Sequence, residues 1–252
     1  MNKNKTALIT GATSGIGKAT AYEFAKHRIQ LVICGRRLDR LKTIKDELES
    51  LTKVHILNFD VRKKSEVEKA IKSLPDNFKN IDILINNAGN AHGFDPIQTG
   101  NIDDWDAMID INVKGLLYVS KAVILNMVER QSGHIINIGS SAGKEVYPKG
   151  NVYCASKHAV IAITDSMRLD LNPFGIKVAS INPGLVETEF SQVRFKGDQN
   201  ANTVYKGFKA LQAEDIADII YFVVSRPAHV NIADLLVFPT AQANNTTVKK
   251  NL

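Results

Sequence analysis

The stretch TALITGATSGIG, residues 6–17, gives the strongest indication of the fold. Its first five residues form a short apolar run that predicts a buried strand, and an amphipathic stretch after it predicts a helix over 16–27. Between them, Gly11, Gly15 and Gly17 allow a sharp turn and a close approach by a pyrophosphate, which the start of a helix attracts. A glycine-rich turn without a ligand is the alternative, and the flanking strand and helix favour phosphate binding.

Short apolar runs continue to alternate with longer amphipathic stretches along the chain. Further strands are predicted over 31–35, 54–59, 81–86, 133–139, 176–182 and 233–239, and further helices over 37–50, 65–73, 103–129, 153–171 and 213–224. Because parallel neighbours need crossover connections, this alternation predicts an α/β fold with a parallel sheet covered on both faces.

The 252 residues are enough for one α/β domain, which we expect over 1–242. The polar segment 184–208 interrupts the alternation and predicts a loop that covers a site as a substrate lid. Residues 243–252 form a polar tail, which we expect to fray unless a neighbouring subunit holds it.

Composition excludes several classes of protein. The formal net charge is +6, but the charges are scattered, which argues against nucleic acid as a partner and suits a phosphorylated ligand. No apolar run reaches 18 residues, so no membrane association is expected. Cys34 and Cys154 fit buried thiols in a reducing, cytoplasmic compartment, and the six histidines show no metal-ligand spacing, so no metal is expected.

Polar residues follow the next predicted strands. Arg36 and Arg37 come after the second strand, where an arginine fits the 2′-phosphate of NADP better than the ribose of NAD. Solvated charges at the start of the next helix are the alternative. Asp60, after the third strand, either reaches an adenine amino group or caps the next helix, and NNAG (86–89) follows the fourth strand.

The stretch YCASK (153–157) places Tyr153 and Lys157 one helical turn apart on the same face. Alone, this pair is typical of a solvated helix surface. Together with the glycine loop, five motifs occur in the order and spacing of the short-chain dehydrogenase/reductase family, which the chain resembles over residues 6–240. The motifs are TGATSGIG (10–17), NNAG (86–89), GSSAG (139–143), YCASK (153–157) and NPGLVET (182–188).

This resemblance implies a doubly wound Rossmann fold, with about seven parallel strands and helices on both faces, and a nicotinamide cofactor. It also implies a catalytic tetrad of Asn112, Ser140, Tyr153 and Lys157. It implies cofactor contacts at Gly11, Thr13, Ser14, Gly15, Ile16, Gly17, Arg36, Arg37, Asp60, Val61, Asn87, Ala88, Gly89, Tyr153, Lys157, Pro183, Gly184, Val186 and Thr188.

Each member of the implied tetrad has a chemical reason to be there. Tyr153 acts as general acid and base only if nearby positive charge stabilises its phenolate, and Lys157 supplies that charge. Ser140 holds the substrate oxygen; Ser141 is the alternative, but the thirteen-residue interval to Tyr153 matches the family at Ser140. Asn112 is similar to the family asparagine that bends its helix and holds a water beside the lysine.

Thr188 matches the family threonine that contacts the nicotinamide carboxamide, and a helix cap ahead of Glu189 is its alternative role.

A narrower resemblance concerns the substrate. The segments GHIINIGSSAG (133–143), EFSQVRFKGD (189–198) and PAHVNIADLLVFPTAQ (227–242) are similar to the NADP-dependent 3-hydroxy acid dehydrogenase group. That group implies L-serine, L-allo-threonine, 3-hydroxypropionate or malonic semialdehyde as substrate, and a homotetramer. Arg194 or Lys196 would bind the substrate carboxylate, or else lie at a subunit contact or in solvent. The implied substrate contacts are Ser140, Tyr153, Arg194 and Lys196.

Three alternatives remain at this point. The chain is another reductase of the family, such as a 3-oxoacyl carrier-protein reductase or a carbonyl reductase; or it binds NADPH without turnover; or it is a basic protein that binds nucleic acid. The complete tetrad argues against a protein that only binds the cofactor, because binding needs no proton donor.

Overall fold

The computed structural model describes residues 5–197 and 203–251, and a parallel sheet forms its centre. In chain order, the strands of this sheet are β1 (Thr6–Thr10), β2 (Gln30–Gly35), β3 (Val54–Asn58), β4 (Ile83–Asn86), β5 (Gly133–Ile138), β6 (Ile176–Pro183) and β9 (Asp234–Val237). Their order across the sheet is β3-β2-β1-β4-β5-β6-β9, and each pairs in parallel with its neighbours. The predicted doubly wound, seven-stranded sheet is therefore confirmed.

Helices cover both faces of the sheet. They are α1 (Gly15–Lys26), α2 (Leu38–Leu48), α3 (Lys64–Lys72), α4 (Ile102–Ile109), α5 (Leu116–Glu129), α6 (Asn151–Leu171), α7 (Phe190–Arg194) and α8 (Ala213–Ser225). A separate two-stranded sheet pairs β7 (Val186–Glu187) with β8 (Leu211–Gln212). Among the helices of the described residues, none has the length and apolar character needed to cross a bilayer.

The core consists of two apolar layers separated by the sheet. Successive residues of a strand face opposite sides, so Ile9 packs with Phe24 on one face while Leu8 packs with Val123 on the other. Strand β1 is buried along its whole length. Burial on both faces explains why the strands of this sheet are nearly continuous apolar runs rather than alternating ones.

The order of the strands also locates a cleft. After β3 the chain crosses back over β1 to begin β4 on its other side, so the connections that leave β1 and β4 diverge at the carboxyl edge of the sheet. Ligands of doubly wound proteins bind at such a switch point.

The helix predicted over 103–129 is interrupted. It consists of α4, a π-helical turn over Asp110–Gly115, and α5. Asn112 lies in the π turn. Propensity alone does not predict this wider turn, because it depends on contacts that Asn112 makes elsewhere in the chain.

The C-terminal tail differs from the prediction that it frays. Its backbone turns back on itself, with the Lys249 N–H donating to the Ala241 carbonyl oxygen at 2.8 Å. The Asn244 side-chain oxygen accepts from the backbone N–H groups of Thr246 and Thr247 at 2.9 and 2.7 Å, which fixes the turn. The expectation was wrong because it judged the tail by its polarity and ignored the local bonds that asparagine makes.

Candidate active site

A cavity of about 970 Å³ opens at the carboxyl edge of the sheet. This volume is at the upper end of the range of small-molecule sites, large enough for a dinucleotide cofactor's reactive half together with a small substrate. Predicted site residues that line it are Gly11, Thr13, Ser14, Gly15, Ile16, Arg36, Arg37, Asp60, Val61, Asn87, Ala88, Gly89, Ser140, Tyr153, Lys157, Pro183, Gly184, Val186, Thr188 and Arg194. The lining does not include the other three predicted site residues, Gly17, Asn112 and Lys196.

The glycine loop packs tightly against the end of β4. Gly11 has a φ of +65°, which glycine adopts without strain. A Cβ at Gly17 would lie 2.5 Å from the Gly11 carbonyl oxygen, so only glycine lets α1 begin there. The Thr10 hydroxyl accepts from the backbone N–H groups of Asn87 and Ala88, both at 3.0 Å, which ties the ends of β1 and β4 together.

Arg36 faces the cavity with its side chain 59% exposed, and its Nη1 atom lies 4.0 Å from Asp60 Oδ2. The carboxylate of Asp60 is held more closely by Arg62, whose Nη2 atom lies 2.6 Å from Oδ2. Burial alone would raise the pKa of Asp60, but the hydrogen bonds from Arg62 offset this and hold the pKa below its ordinary value. Asp60 does not cap α3, because Lys63 occupies that position.

Arg37 supports the glycine loop while 41% of its side chain stays exposed. Its guanidinium donates to Thr13 Oγ1 at 2.7 Å and to Ser14 Oγ at 2.8 Å. A third donor reaches Glu189 Oε2 at 3.0 Å, and Glu189 also accepts from Arg40 at 2.7 Å. The role of Glu189 as a link between the lid and α2 was not predicted, because its partners are about 150 positions away in the sequence.

Tyr153 and Lys157 are both buried on α6, at 8% and 7% exposure. The Lys157 Nζ atom donates to the Ile138 carbonyl oxygen at 3.0 Å, and burial lowers the pKa of Lys157 to about 8. Burial raises the pKa of Tyr153 above its ordinary value, and the neighbouring Tyr147 adds to the rise; a hydrogen bond with Ser140 acts in the opposite direction. Without a bound cofactor, the phenol of Tyr153 is therefore protonated near neutral pH.

The two candidate serines differ in their surroundings. Ser140 lies close enough to Tyr153 to lower the pKa of that tyrosine, and its Oγ atom accepts from the Ala142 N–H at 3.1 Å. Ser141 is 5% exposed, and its carbonyl oxygen accepts from Asn245 at 3.0 Å. The geometry favours Ser140 for contact with a substrate oxygen.

Asn112 lies behind Gly89 rather than in the cavity wall. Its Oδ1 atom accepts from the Asn90 N–H, and its Nδ2 atom donates to the Asn90 carbonyl oxygen, both at 2.9 Å. A Cβ at Gly89 would lie 3.1 Å from Asn112 Oδ1 and 3.5 Å from Lys157 Nζ. The asparagine and the lysine therefore lie on the same side of Gly89.

Arg194 and Lys196 have different environments. The Arg194 guanidinium carbon lies 5.4 Å from the centre of the Tyr153 ring and 4.9 Å from that of Phe94, and Nη1 donates to the Tyr147 hydroxyl at 2.9 Å. Lys196 instead forms an ion pair with Asp104 at 3.0 Å. Only Arg194, of these two cations, lines the cavity. Phe94 and Tyr147 were not predicted, since single aromatic residues in loops give no motif.

The lid lies against the glycine loop. A Cβ at Gly15 would be 3.3 Å from Thr188 Cγ2, so the threonine occupies the space that a side chain at Gly15 would need. Thr188 Oγ1 accepts from the Phe190 N–H at 3.2 Å, but the cap position of α7 is occupied by Glu189. The Tyr205 hydroxyl donates to the Val186 carbonyl oxygen at 2.7 Å and holds the far side of the lid. Positions 198–202 of the predicted lid lie outside the described residues.

The C-terminal tail contributes to the cavity as well. Gln242 and Asn245 line it, and Gln242 Oε1 accepts from the Leu185 N–H at 2.8 Å. The sequence holds no signal for these contacts, because they arise only when the tail folds back over the carboxyl edge of the sheet.

A glycine loop at the switch point of a parallel sheet, facing a buried tyrosine and lysine, defines a nucleotide-dependent oxidoreductase. The chain belongs to the short-chain dehydrogenase family, whose model matches residues 5–199. The resemblance found in the sequence is thereby confirmed.

Relatives with assigned names agree with this family. The chain is 45% identical over 238 residues to the NADP-dependent 3-hydroxy acid dehydrogenase YdfG of Escherichia coli O6:H1, covering 94% of this chain and 95% of the relative. It is 44% identical over 238 residues to sulfoacetaldehyde reductase 2 of Chromohalobacter salexigens, covering 94% of each. The solved closed form of a serine dehydrogenase complexed with NADP⁺ matches with a TM-score of 0.92 and 42% identity, over 98% of this chain and 100% of that one.

The buried ammonium of Lys157 predicts a pH-dependent stability. We expect Lys157→Met to raise the free energy of unfolding at pH 7 by about 1–2 kcal/mol, because it removes a buried charge. The pKa of Lys157 is about 8 in the folded chain, against an ordinary 10.5. The buried ammonium therefore destabilises the fold fully below pH 8, and this destabilisation shrinks as the pH rises toward 10.5. Urea unfolding at about pH 7 and about pH 10 measures the difference. An equal gain at both pH values would contradict a buried charge as the cause.

Proposed function

We propose that the chain transfers a hydride between NADP(H) and the 3-carbon of small 3-hydroxy acids. The substrates are L-serine, L-allo-threonine and 3-hydroxypropionate in the oxidative direction, and malonic semialdehyde in the reductive one. The observation that carries this proposal is the position of Arg194, whose guanidinium lines the cavity beside the ring of Tyr153. A substrate with an anionic group close to its reacting hydroxyl fits a cation next to a proton donor.

The residues of the cavity fit NADP(H). The glycine loop lines the cavity at the start of α1, where the helix N-terminus attracts a pyrophosphate. Arg36 presents an exposed guanidinium at the end of β2, where a 2′-phosphate distinguishes NADP from NAD. Arg37 holds the neighbouring glycine loop in place through hydrogen bonds to Thr13 and Ser14. The NADP dependence in the name of the E. coli relative and the NADP⁺ bound in the serine dehydrogenase structure support the same choice.

The chain's own residues bind the substrate and move its proton. Ser140 holds the substrate oxygen, and Tyr153 accepts the hydroxyl proton in oxidation or returns it in reduction. Lys157 stabilises the phenolate, and Asn112 holds the loop beside it. When bound, oxidised nicotinamide accepts the hydride and carries a positive charge. Burial raises the pKa of Tyr153, so its phenolate forms near neutral pH only if positive charges lie close to it.

Arg194 is suited to an anionic substrate because it is partly desolvated. Four aromatic rings lie within 6 Å of its guanidinium carbon, those of Phe94, Tyr147, Tyr153 and Phe195. A cation in such surroundings binds a carboxylate more strongly than one in bulk water. Lys196 is paired with Asp104, so we assign it no contact with the substrate.

A second candidate reaction is the reduction of sulfoacetaldehyde, supported by the relative of that name. In sulfoacetaldehyde and in malonic semialdehyde, one methylene separates the anionic group from the aldehyde. An arginine at a fixed distance from the catalytic tyrosine therefore suits both substrates.

We also propose a homotetramer. Leu117, Leu125 and Leu169 expose 39%, 56% and 75% of their surface on α5 and α6, and Phe222 and Leu236 are about half exposed near the sheet edge. Apolar surface of this kind is typical of subunit contacts, and sedimentation equilibrium tests it. A cytoplasmic location remains our prediction, in agreement with the free thiols of the buried Cys34 and Cys154.

Initial rates of NADP reduction test the proposed substrates directly. We expect turnover with L-serine, L-allo-threonine and 3-hydroxypropionate, and lower rates when NAD replaces NADP. Malonic semialdehyde and sulfoacetaldehyde with NADPH test the reverse direction and the second candidate. Turnover of 3-oxoacyl thioesters with none of the small acids would contradict the proposal and favour another reductase of the family.

Arg194→Ala should raise the KM for L-serine by about tenfold to a hundredfold, because a charge-assisted pair to the carboxylate is lost. The KM for a neutral alcohol such as 2-propanol should change little. Lys196→Ala is the matched control, since it removes a nearby cation that is paired with Asp104. Equal losses on charged and neutral substrates would contradict the role of Arg194.

Tyr153→Phe should lower turnover by about a thousandfold or more, because the proton donor is removed. The Kd for NADPH, from fluorescence titration, should stay within about twofold of wild type. Tyr118→Phe, on α5, removes a phenol outside the described cavity lining and is the control. Turnover near the wild-type rate in Tyr153→Phe would exclude it as the acid and base.

Arg36→Ala should raise the KM for NADPH by about tenfold or more, with little change for NADH, because only NADPH carries the 2′-phosphate. Arg226→Ala removes a positive charge at the end of α8 and is the control for net charge. A similar loss with both cofactors would show that Arg36 does not recognise the phosphate.

A further inference from the structure

The C-terminal strap, residues 242–251, is an ordered part of the molecule. The Ala243 N–H donates to the Thr247 carbonyl oxygen at 2.9 Å, and Gln242 pairs with Val248 as an antiparallel bridge. Asn244 closes the turn through its side-chain oxygen. These bonds give the strap a defined shape, so its side chains have fixed positions relative to the cavity.

The strap holds the segment that carries the proposed catalytic serine. Asn245 Nδ2 donates to the carbonyl oxygens of Ser141 and Glu145, at 3.0 and 2.7 Å. These carbonyl groups lie at the start of the helical turn Ser141–Gly143 and two residues after its end. Ser140 caps that turn, so its side-chain position depends on where the turn lies.

The strap also holds the two ends of the lid. Gln242 is 6% exposed, and its Oε1 atom accepts from the Leu185 N–H at 2.8 Å, where the chain leaves β6. At the other end, the Asn251 N–H donates to the Gly207 carbonyl oxygen at 2.8 Å. The strap thus contacts the serine segment and both ends of the lid within one protomer.

We propose that Asn245 is a positioning residue, which holds Ser140 at the correct distance from Tyr153 through the carbonyl groups of Ser141 and Glu145. The inference rests on the proposed role of Ser140. A side-chain amide that donates to two backbone carbonyl groups resists movement of the whole turn, and small displacements of a group that orients the substrate cost large factors in rate. An asparagine in the tail therefore acts on the chemistry through the position of Ser140.

Asn245→Ala tests this role by removing both donors. We expect kcat for L-serine oxidation to fall about tenfold, while the Kd for NADPH stays within about twofold and the melting temperature is little changed. Thr246→Ala is the matched control on the same turn, because within residues 5–197 and 203–251 its hydroxyl bonds only to Asn244. Its kcat should equal wild type. Asn245→Gln keeps the amide donors and should recover part of the rate.

A double-mutant cycle with Ser140→Ala separates positioning from general destabilisation. If Asn245 acts through Ser140, adding Asn245→Ala to Ser140→Ala lowers kcat no further. The inference would be overturned if the two substitutions lowered kcat independently, so that the double variant showed the product of both losses. It would also be overturned if the fall in kcat of Asn245→Ala came with a lower melting temperature and weaker NADPH binding.

The two possible failures can be told apart. Wild-type kcat in Ser140→Ala would reject the proposed role of that serine. A large loss in Ser140→Ala beside wild-type kcat in Asn245→Ala would reject only the positioning role of the strap.

Discussion

The burial of the Lys157 ammonium is the constraint on which the site depends. A buried cation is costly, and here the Lys157 Nζ atom donates to the Ile138 carbonyl oxygen at 3.0 Å. The lysine stays in place because α6 packs against β6 and against the turn after β5, so that only a small part of the side chain reaches the cavity. The same packing fixes Tyr153 one turn earlier. A charge that is unfavourable for folding is thus kept beside Tyr153, where it suits the proton transfer that we propose.

The two halves of the sheet carry different parts of the site. The ends of β1, β2 and β3 carry the glycine loop, Arg36 and Asp60, which suit the phosphates and the adenine side of a dinucleotide. The ends of β4 and β5, with α6, carry the groups suited to the reacting carbon. Thr10 joins the halves through its bonds to Asn87 and Ala88. Because these contacts are made by backbone groups and short side chains at strand ends, the distance between the halves is set by the sheet itself.

The sequence predicts those parts of this site that depend on local pattern. Tyr153 and Lys157 are found because their motif occurs in order with four others of the family, since the spacing alone is typical of a solvated helix face. The strands are found because burial on both faces requires continuous apolar runs. It does not predict contacts between distant segments. The bond from Arg37 to Glu189, the pairing of Lys196 with Asp104, and the return of Asn245 to Ser141 depend on the assembled fold. The lid region and the tail were therefore the least well predicted, whereas the sheet and the motif residues needed no tertiary information.

The π turn at Asp110–Gly115 has a consequence for how this helix tolerates changes in length. A π turn holds one residue more than an α-helical turn, and each residue of an α-helix rotates its successor by about 100°. A π turn therefore absorbs the extra residue while α4 and α5 keep nearly the rotational phase of one continuous helix. Deleting one residue here would leave both helices in phase with the core, but it would remove the wide turn that places Asn112 against Asn90. The packing of this helix therefore tolerates such a deletion, whereas the geometry around Asn112 does not.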